Sequence, residues 1–197
     1  MATKTMEDRI RRLTFKPVEE PESDNKLADL ILYISHRCQD EPTFGAVMLN
    51  KILHYADFQS FRRYGAPVTG SPYMKQPNGP VPKRFVPVRD RLIADKCIVV
   101  QERPYFGKTQ KRIVPLVVPD LERFSGRDIA MVDEAMRVLC RLSATEVSDL
   151  SHGVAWRAAE DGGLIPYEAA LLSNEGITEA DIYEAQRLSR ERGWGNG

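Results

Sequence analysis

Apolar residues recur every three or four positions in two stretches near the start of the chain. In residues 25–38 this spacing predicts an amphipathic helix, with Asp24 as its expected N-cap. A second helix is expected to begin after Thr43 and to end at Gly65, because a threonine side chain can cap the first turn and glycine readily adopts the left-handed conformation.

The second helix has apolar residues on both of its faces. Its main apolar face carries Phe44, Met48, Leu49, Ile52, Leu53, Tyr55 and Ala56. The opposite face is polar, but it also includes Val47, Phe58 and Phe61. We expect the chain itself to cover this second face, and coverage by a partner is the alternative.

The segment after Gly65 is dense in residues that fix backbone angles. Pro67, Gly70 and Pro72 prevent the helix from continuing, and residues 71–76 are expected to form a short strand. Residues 78–80, Asn-Gly-Pro, predict a turn in which glycine supplies a positive φ. So many constrained angles indicate a specified shape.

A third helix and a β-hairpin are predicted next. Residues 82–96 have helical spacing, with Pro87 expected in the first turn, where proline is tolerated. Residues 97–103 and 110–117 are rich in β-branched side chains and are separated by turn residues, so they predict a hairpin. Pro115 marks its strand as an edge strand.

The remainder of the chain is predicted to be helical. Ser125 or Asp128 opens a helix that runs to residue 142, and Ser143 with Glu146 has capping-box spacing for a short helix that runs to residue 152. A short helix after residue 165 and a charged helix over residues 178–192 follow. The expected fold is α+β and mainly helical, with helices around a short strand plus a β-hairpin in winged-helix-like order.

Three parts of the chain are expected to behave differently. Residues 1–22 predict a flexible N-terminal arm, residues 23–175 a domain, and residues 176–197 a C-terminal helix with a frayed tail. No apolar run approaches the roughly 20 residues of a membrane span, and the N-terminus lacks an apolar signal core, so we expect a cytoplasmic protein without a membrane partner.

Charge is segregated along the chain although the net charge is zero. Residues 51–117 carry 13 basic and 4 acidic residues, and residues 118–197 carry 8 and 15. Either the two parts attract one another, or the basic part faces an acidic partner or nucleic acid. The candidate contact residues are Lys83, Arg84, Arg89, Arg91, Lys108, Lys111 and Arg112. A winged helix would use them on DNA, although a pI near 6.8 weakens that interpretation.

The residues that usually carry catalysis or bind metals show no recognisable arrangement. Three histidines and three scattered cysteines form no metal-ligand motif, and no cysteine has the local signature of a nucleophile. No phosphate-binding glycine motif is present either. We therefore predict a protein that is not an enzyme, with no cofactor and no metal.

Several ordered motifs resemble a known family. KILHYADF at residues 51–58, GAPVTG at residues 65–70, GPVP at residues 79–82, LSH at residues 150–152 and IPY at residues 165–167 resemble the Panacea domain of SocA-like antitoxins, which also occurs in phage-associated proteins. The resemblance implies an antitoxin that neutralises a co-encoded protein toxin by direct binding. For the founding member, SocA, it further implies delivery of the toxin to the Clp protease.

The resemblance also assigns scaffold residues. They are Lys51, Tyr55, Asp57, Gly70, Tyr73, Gly79, Pro80, Val81, His152 and Trp156. We expect structural roles for them, with a simple pairing of Asp57 with Arg62 or Lys51 as the plain alternative. Toxin contacts are expected on the basic hairpin, the N-terminal arm and the terminal helix. A DNA-binding regulator and a phage-associated interaction protein are the alternative functions.

Overall fold

The computed structural model describes residues 20–171 except residues 106 and 143. The described residues form an α+β fold, as predicted. Its α-helices are α1 Glu20–Arg37, α2 Ala46–Tyr64, α3 Phe85–Ala94, α4 Gly126–Leu139, α5 Ala144–Ser151 and α6 Val154–Ala158, followed by a 3-10 helix, Tyr167–Leu171. Its strands are β1 Tyr73–Gln76, β2 Gly79–Pro82, β3 Ile98–Tyr105, β4 Lys108–Pro115 and β5 Leu164–Ile165.

Helix α1 begins earlier than the sequence pattern indicates. It starts at Glu20, so Asp24 lies inside the helix and the prediction that it caps the N-terminus is wrong. Pro21 falls in the first turn, where a missing N–H is harmless. The carboxylate of Asp24 instead pairs with Arg84, the N-cap residue of helix α3, at 2.8 Å. The Asp24 side chain, which the sequence pattern assigned to an N-cap, therefore makes a tertiary contact instead.

Helix α2 starts one residue after Gly45, and the predicted cap by Thr43 is wrong. Phe44 is buried in the core, and Gly45 lies against strand β4, where an added Cβ would approach the side chain of Gln110 to 2.7 Å. Packing of the hairpin therefore determines where the helix begins. At the other end, Gly65 has φ 76° and its N–H donates to the carbonyl of Phe61, which confirms the predicted stop.

Strand β1 lies in the middle of a small antiparallel sheet of order β2-β1-β5. A two-residue turn joins β1 to β2, and the pair Gln76 and Gly79 closes it. Gly79 has φ 116°, so the predicted positive φ is confirmed. The sequence pattern missed β2 because Pro80 and Pro82 are rare in strands. They are tolerated here because β2 is an edge strand.

The predicted hairpin is present and forms its own two-stranded sheet, β3-β4. Its strands reach two residues further toward the turn than predicted, to the pair Tyr105 and Lys108. Helix α3 begins at Phe85, with Pro87 in its first turn as predicted; it starts later than residue 82 because Pro82 ends β2. The winged-helix comparison stays a prediction about the order of the elements.

The C-terminal elements agree with the local signals. Ser125 caps α4 in a capping box, in which the N–H of Asp128 donates to the Ser125 hydroxyl and the N–H of Ser125 donates to the Asp128 carboxylate. The helix ends at Leu139, three residues before the predicted end. The predicted arm over residues 1–22 is wrong for residues 20–22, which belong to helix α1. Residues 1–19, the predicted cap at Ser143 and the predicted helix over residues 178–192 lie outside the described residues.

Two apolar clusters cover opposite sides of α2. The larger one joins α2 to α1, α3, β4 and α4, and the smaller one contains Phe58, Phe61, Tyr73, Ile165 and Tyr167. The prediction that the chain itself covers the second face is confirmed for Phe58 and Phe61. It is wrong for Val47, which is 51% exposed. Among the described helices, none combines the length and apolarity needed to cross a bilayer.

Candidate functional site

Asp57 is the fully buried centre of the motif-bearing region. Its carboxylate accepts hydrogen bonds from the backbone N–H of Thr69 at 2.7 Å, the Thr69 hydroxyl at 2.5 Å and the Tyr73 hydroxyl at 2.8 Å. These donors, rather than Arg62 or Lys51, satisfy the carboxylate. Asp57 therefore ties helix α2 to the loop and strand that follow it.

Burial and hydrogen bonding act in opposite directions on Asp57. Burial raises the pKa of the carboxyl, and the donors on Thr69 and Tyr73 partly offset that rise. The pKa of Tyr73 is raised well above its ordinary value, first by burial and then by the Asp57 charge. Tyr73 therefore stays protonated as a donor, which suits a structural hydrogen bond.

The loop between α2 and β1 is held from its other side by aromatic packing. The Tyr167 hydroxyl donates to the carbonyl of Ser71 at 2.6 Å, and its ring lies 5.0 Å from that of Phe58. Gly70, with φ 73°, provides the left-handed position that the loop requires. The backbone after α2 is thus fixed by contacts from three separate segments.

Gly79 lies where helix α2, the β1–β2 hairpin and helix α5 meet. A Cβ at this position would lie 3.2 Å from the Ser151 hydroxyl, 3.6 Å from Lys51 Cε and 3.7 Å from His152 Nε2. The positive φ of Gly79 and this crowding both favour glycine. The predicted scaffold residues Lys51, Gly79 and His152 are therefore brought together.

Trp156 attaches helices α5 and α6 to the β1–β2 hairpin. Its indole N–H donates to the carbonyl of Gln76 at 3.1 Å, its ring stacks on His152 at 4.0 Å, and the Lys75 ammonium lies 4.5 Å from its ring centroid. The His152 ring faces the Ser148 hydroxyl through Nδ1, at 3.2 Å. Burial, followed by the positive charge of Lys51, lowers the pKa of His152 and favours the neutral imidazole.

The other predicted scaffold residues lie around this framework. Tyr55 is half-buried and packs against the larger cluster. Pro80 is buried opposite Lys75 in the β1–β2 pair, and Val81 lies opposite Met74 while packing on the larger cluster. Their positions fit structural roles, as expected for residues that specify a backbone.

All four predicted contact arginines are engaged within the chain. Arg91 donates to the carbonyl of Asp24 at 3.5 Å and to the side-chain oxygen of Asn25 at 3.4 Å. Arg84 pairs with Asp24, and Arg89 pairs with the adjacent Asp90 at 2.7 Å. Arg112 is only 5% exposed and donates to the carbonyls of Cys38 and Gln39. The basic segment is therefore not a continuous cationic surface.

The other predicted contact residues lie closer to solvent. Lys83 and Lys111 are exposed, and Lys111 lies 3.9 Å from Glu102 on the paired strand. Lys108 opens β4, and its side chain lies outside the described atoms. As partner contacts, all seven residues stay a prediction.

Some of the charge segregation is compensated between the two parts of the chain. Arg63 of α2 makes a two-pronged 2.7 Å contact with Glu134 of α4, and Lys75 of β1 lies 3.2 Å from Asp161. Each pair joins the basic middle segment to the acidic C-terminal segment. These contacts agree with the interpretation that the two parts attract one another.

A groove of about 630 Å³ lies between the N-terminus of α2, the β3–β4 hairpin and the start of α5. We call it the α2 groove. It is lined by Thr43, Gly45, Ala46, Val47, Met48, Lys51, Tyr105, Thr109, Gln110, Lys111, Leu142 and Val147. The sequence analysis missed it, because its walls come from three distant segments. The one available signal was Val47, an apolar residue on the polar side of α2.

One comparison with known proteins decides the family. The family model described as "Antitoxin SocA-like, Panacea domain" matches residues 49–157, more than half of the chain. The chain belongs to the SocA-like antitoxin family. Among curated proteins and solved structures, no significant match was found.

The matched Panacea segment contains most of the framework described above. It runs from the first turns of α2 to α6 and includes Asp57, Gly79 and Trp156. The resemblance stated from the sequence motifs is thereby confirmed. Tyr167, which closes the aromatic cluster around Phe58, lies beyond the matched segment, although the structure packs it against the same core.

Proposed function

We propose that this protein is the antitoxin of a toxin–antitoxin pair and neutralises a protein toxin by binding it directly. The observation that carries the proposal is the Panacea-domain match over residues 49–157. Neutralisation by binding requires a rigid surface with a few anchoring contacts and needs no catalytic group. The buried hydrogen bonds of Asp57 and the packed aromatic cluster supply that rigidity.

We further propose that the β3–β4 hairpin is a contact surface for the toxin. Val99 and Val100 are 40% and 37% exposed on β3, and Lys111 is exposed on β4. Exposed apolar side chains next to charged ones are typical of protein interfaces. This arrangement favours a protein partner over DNA, because Arg84, Arg89 and Arg112 are already engaged within the chain.

Delivery of the bound toxin to the Clp protease is a separate step that the family resemblance implies. It depends on binding, because an adaptor must first hold its cargo. Sequestration and delivery therefore share the same first event, and a binding experiment tests that event.

Co-expression with the toxic product of the neighbouring gene tests the proposal. We expect the chain to restore growth and to co-purify with that product at a fixed ratio. The Asp57→Asn variant, in which the scaffold is weakened, is expected to lose both effects together. Absence of both rescue and complex with a folded, soluble chain would refute the proposal, as would rescue without a complex.

A further inference from the structure

We propose that the α2 groove binds a segment of the toxin in which an apolar side chain lies beside a carboxylate, and that Lys51 pairs with this carboxylate. The inference rests on the proposed function for the identity of the partner. The chemistry of the ligand is argued from the groove itself.

Lys51 belongs to the lining of the groove and is a buried cation that makes no ion pair with a described residue. It is only 7% exposed, and its Cε lies close to Gly79. Among the described residues, none makes a hydrogen bond or an ion pair with its ammonium group. Burial lowers the pKa of Lys51 and Asp149 raises it, so compensation by the chain is incomplete. A buried charge of this kind gains from a carboxylate that reaches it.

The N-terminus of α2 adds to the positive potential of the groove. Its N-cap, Gly45, has no capping side chain, and its first turn contains no acidic residue. Among the described residues, none accepts a hydrogen bond from the N–H groups of Ala46, Val47 or Met48, which belong to the groove lining. Free N–H groups at the positive end of a helix dipole favour an anion.

The walls of the groove select an apolar ligand. Val47 is 51% exposed, and Met48, Leu142 and Val147 line the same space. A volume of about 630 Å³ is within the usual range of ligand pockets. A nucleic-acid phosphate would gain little from these walls, whereas a protein segment can supply both the apolar side chain and the carboxylate. Charge and shape together therefore favour a protein ligand.

Val47 offers a direct test, because it precedes Lys51 by four residues and lines the same groove. In the Val47→Glu variant, a carboxylate four residues before a lysine supplies the missing counter-ion from within the chain. We expect this variant to fold and to bind the toxin at least about tenfold more weakly than Val47→Gln, which has the same size and no charge. The two variants differ only in the charge.

Lys51 itself is tested with small probes that need no toxin. We expect N-acetylleucine to shift the amide NMR signals of Ala46, Val47 and Met48 in the full chain, and N-acetylleucinamide, which lacks the carboxylate, to shift them much less. Lys51→Met is expected to reduce the difference between the probes, and the N–H groups of α2 are expected to account for what remains. Lys96→Met, the same change at an exposed lysine outside the groove, is expected to leave the difference intact.

The outcomes separate the inference from the proposed function. If the unmodified chain does not bind the toxin but distinguishes the two probes, the antitoxin assignment fails and the groove chemistry stands. If the toxin binds Val47→Glu and Val47→Gln equally, or the probes shift no groove signal or the same signals equally, the inference is overturned. Probe-induced shifts in residues 172–197 would identify this chain's own C-terminal segment as the occupant and would overturn it too.

Discussion

The carboxylate of Asp57 accepts a 2.7 Å hydrogen bond from the backbone N–H of Thr69, twelve residues further along the chain. This bond spans the end of helix α2 and the loop that leads to the β1–β2 hairpin. A second bond from Tyr73 joins the same carboxylate to β1. One buried side chain therefore sets the orientation of the hairpin relative to the helix.

Replacing Asp57 by asparagine should destabilise the fold. The amide retains one acceptor oxygen and places an NH₂ group among donors, so buried donors lose their partner. We expect a loss of about 2–4 kcal/mol in the free energy of unfolding, measured by urea denaturation.

Asp90→Asn is the matched control, because Asp90 is exposed and, within the described part of the chain, pairs with its neighbour Arg89 alone. We expect a change of less than about 1 kcal/mol for this variant. Equal effects of the two substitutions would show that the Asp57 hydrogen bonds do not stabilise the fold.

Gly79→Ala should destabilise the junction of helix α2, the β1–β2 hairpin and helix α5. The alanine would have to adopt the φ of 116° that Gly79 has, and its methyl group would lie 3.2 Å from the Ser151 hydroxyl. We expect a loss of about 1–3 kcal/mol in the free energy of unfolding. Gly126→Ala, at an ordinary φ with open space around it, should be neutral or slightly stabilising in the same denaturation experiment. An unchanged free energy of unfolding in Gly79→Ala would contradict the close approach of residue 79 to Ser151.

Trp156→Phe should loosen the attachment of α6 to the hairpin. Phenylalanine retains an aromatic ring beside His152 but leaves the carbonyl of Gln76 without its 3.1 Å donor. We expect a loss of about 1–2 kcal/mol in thermal or urea unfolding and faster exchange of the amide protons of α6. Unchanged stability and exchange would mean that the indole N–H is not needed for docking.

His54 should make stability depend on pH. Burial, followed by the positive charge of Lys51, lowers the pKa of His54 from 6.5 to about 3. Between these values the unfolded chain binds a proton that the folded chain does not, so stability falls as pH decreases from about 6.5 toward 3. The contribution of His54 to this fall should be at most about 1.4 kcal/mol per pH unit.

The contribution of His54 is isolated by comparison with His54→Gln. The raised pKa of Asp57 acts in the opposite direction, because the folded chain then holds a proton more readily, but this effect is common to both proteins. We expect the free energies of unfolding to converge between the two proteins as the pH is lowered. A constant difference from about pH 7 to about pH 4.5 would show that His54 keeps its ordinary pKa.

Local signals predicted those parts of the fold that depend on neighbouring residues. Gly65 ends α2, and Ser125 with Asp128 caps α4, because each signal acts within one helical turn. The predicted caps at Asp24 and Thr43 were wrong because tertiary contacts decide those positions. Asp24 accepts a hydrogen bond from Arg84, sixty residues away. The start of α2 is set by packing against the β3–β4 hairpin.

Two strands could not be predicted from the sequence pattern. Strand β2 contains Pro80 and Pro82, and β5 has only two residues, so neither shows the usual alternation of apolar and polar positions. Both become strands because they flank β1, which the pattern did indicate. Pairing with an existing strand compensates here for weak local preference.

The candidate site was predicted in part. The family motifs identified Asp57, Tyr73 and Gly79 as residues that fix the backbone, and their contacts fit that role. The α2 groove was not predicted, because helix α2, the β3–β4 hairpin and helix α5 come together only in the folded chain. Lys51 was interpreted as scaffold, and its binding role is inferred from its burial without an ion pair among the described residues.

The central claim, neutralisation by direct binding, is tested most directly by titrating the purified chain into an activity assay of the purified toxin, without protease, ATP or DNA. The account predicts that toxin activity falls in proportion to added chain and is abolished at a fixed molar ratio. Toxin activity that is unchanged by an excess of the folded chain, or that falls only when a protease and ATP are supplied, would contradict it.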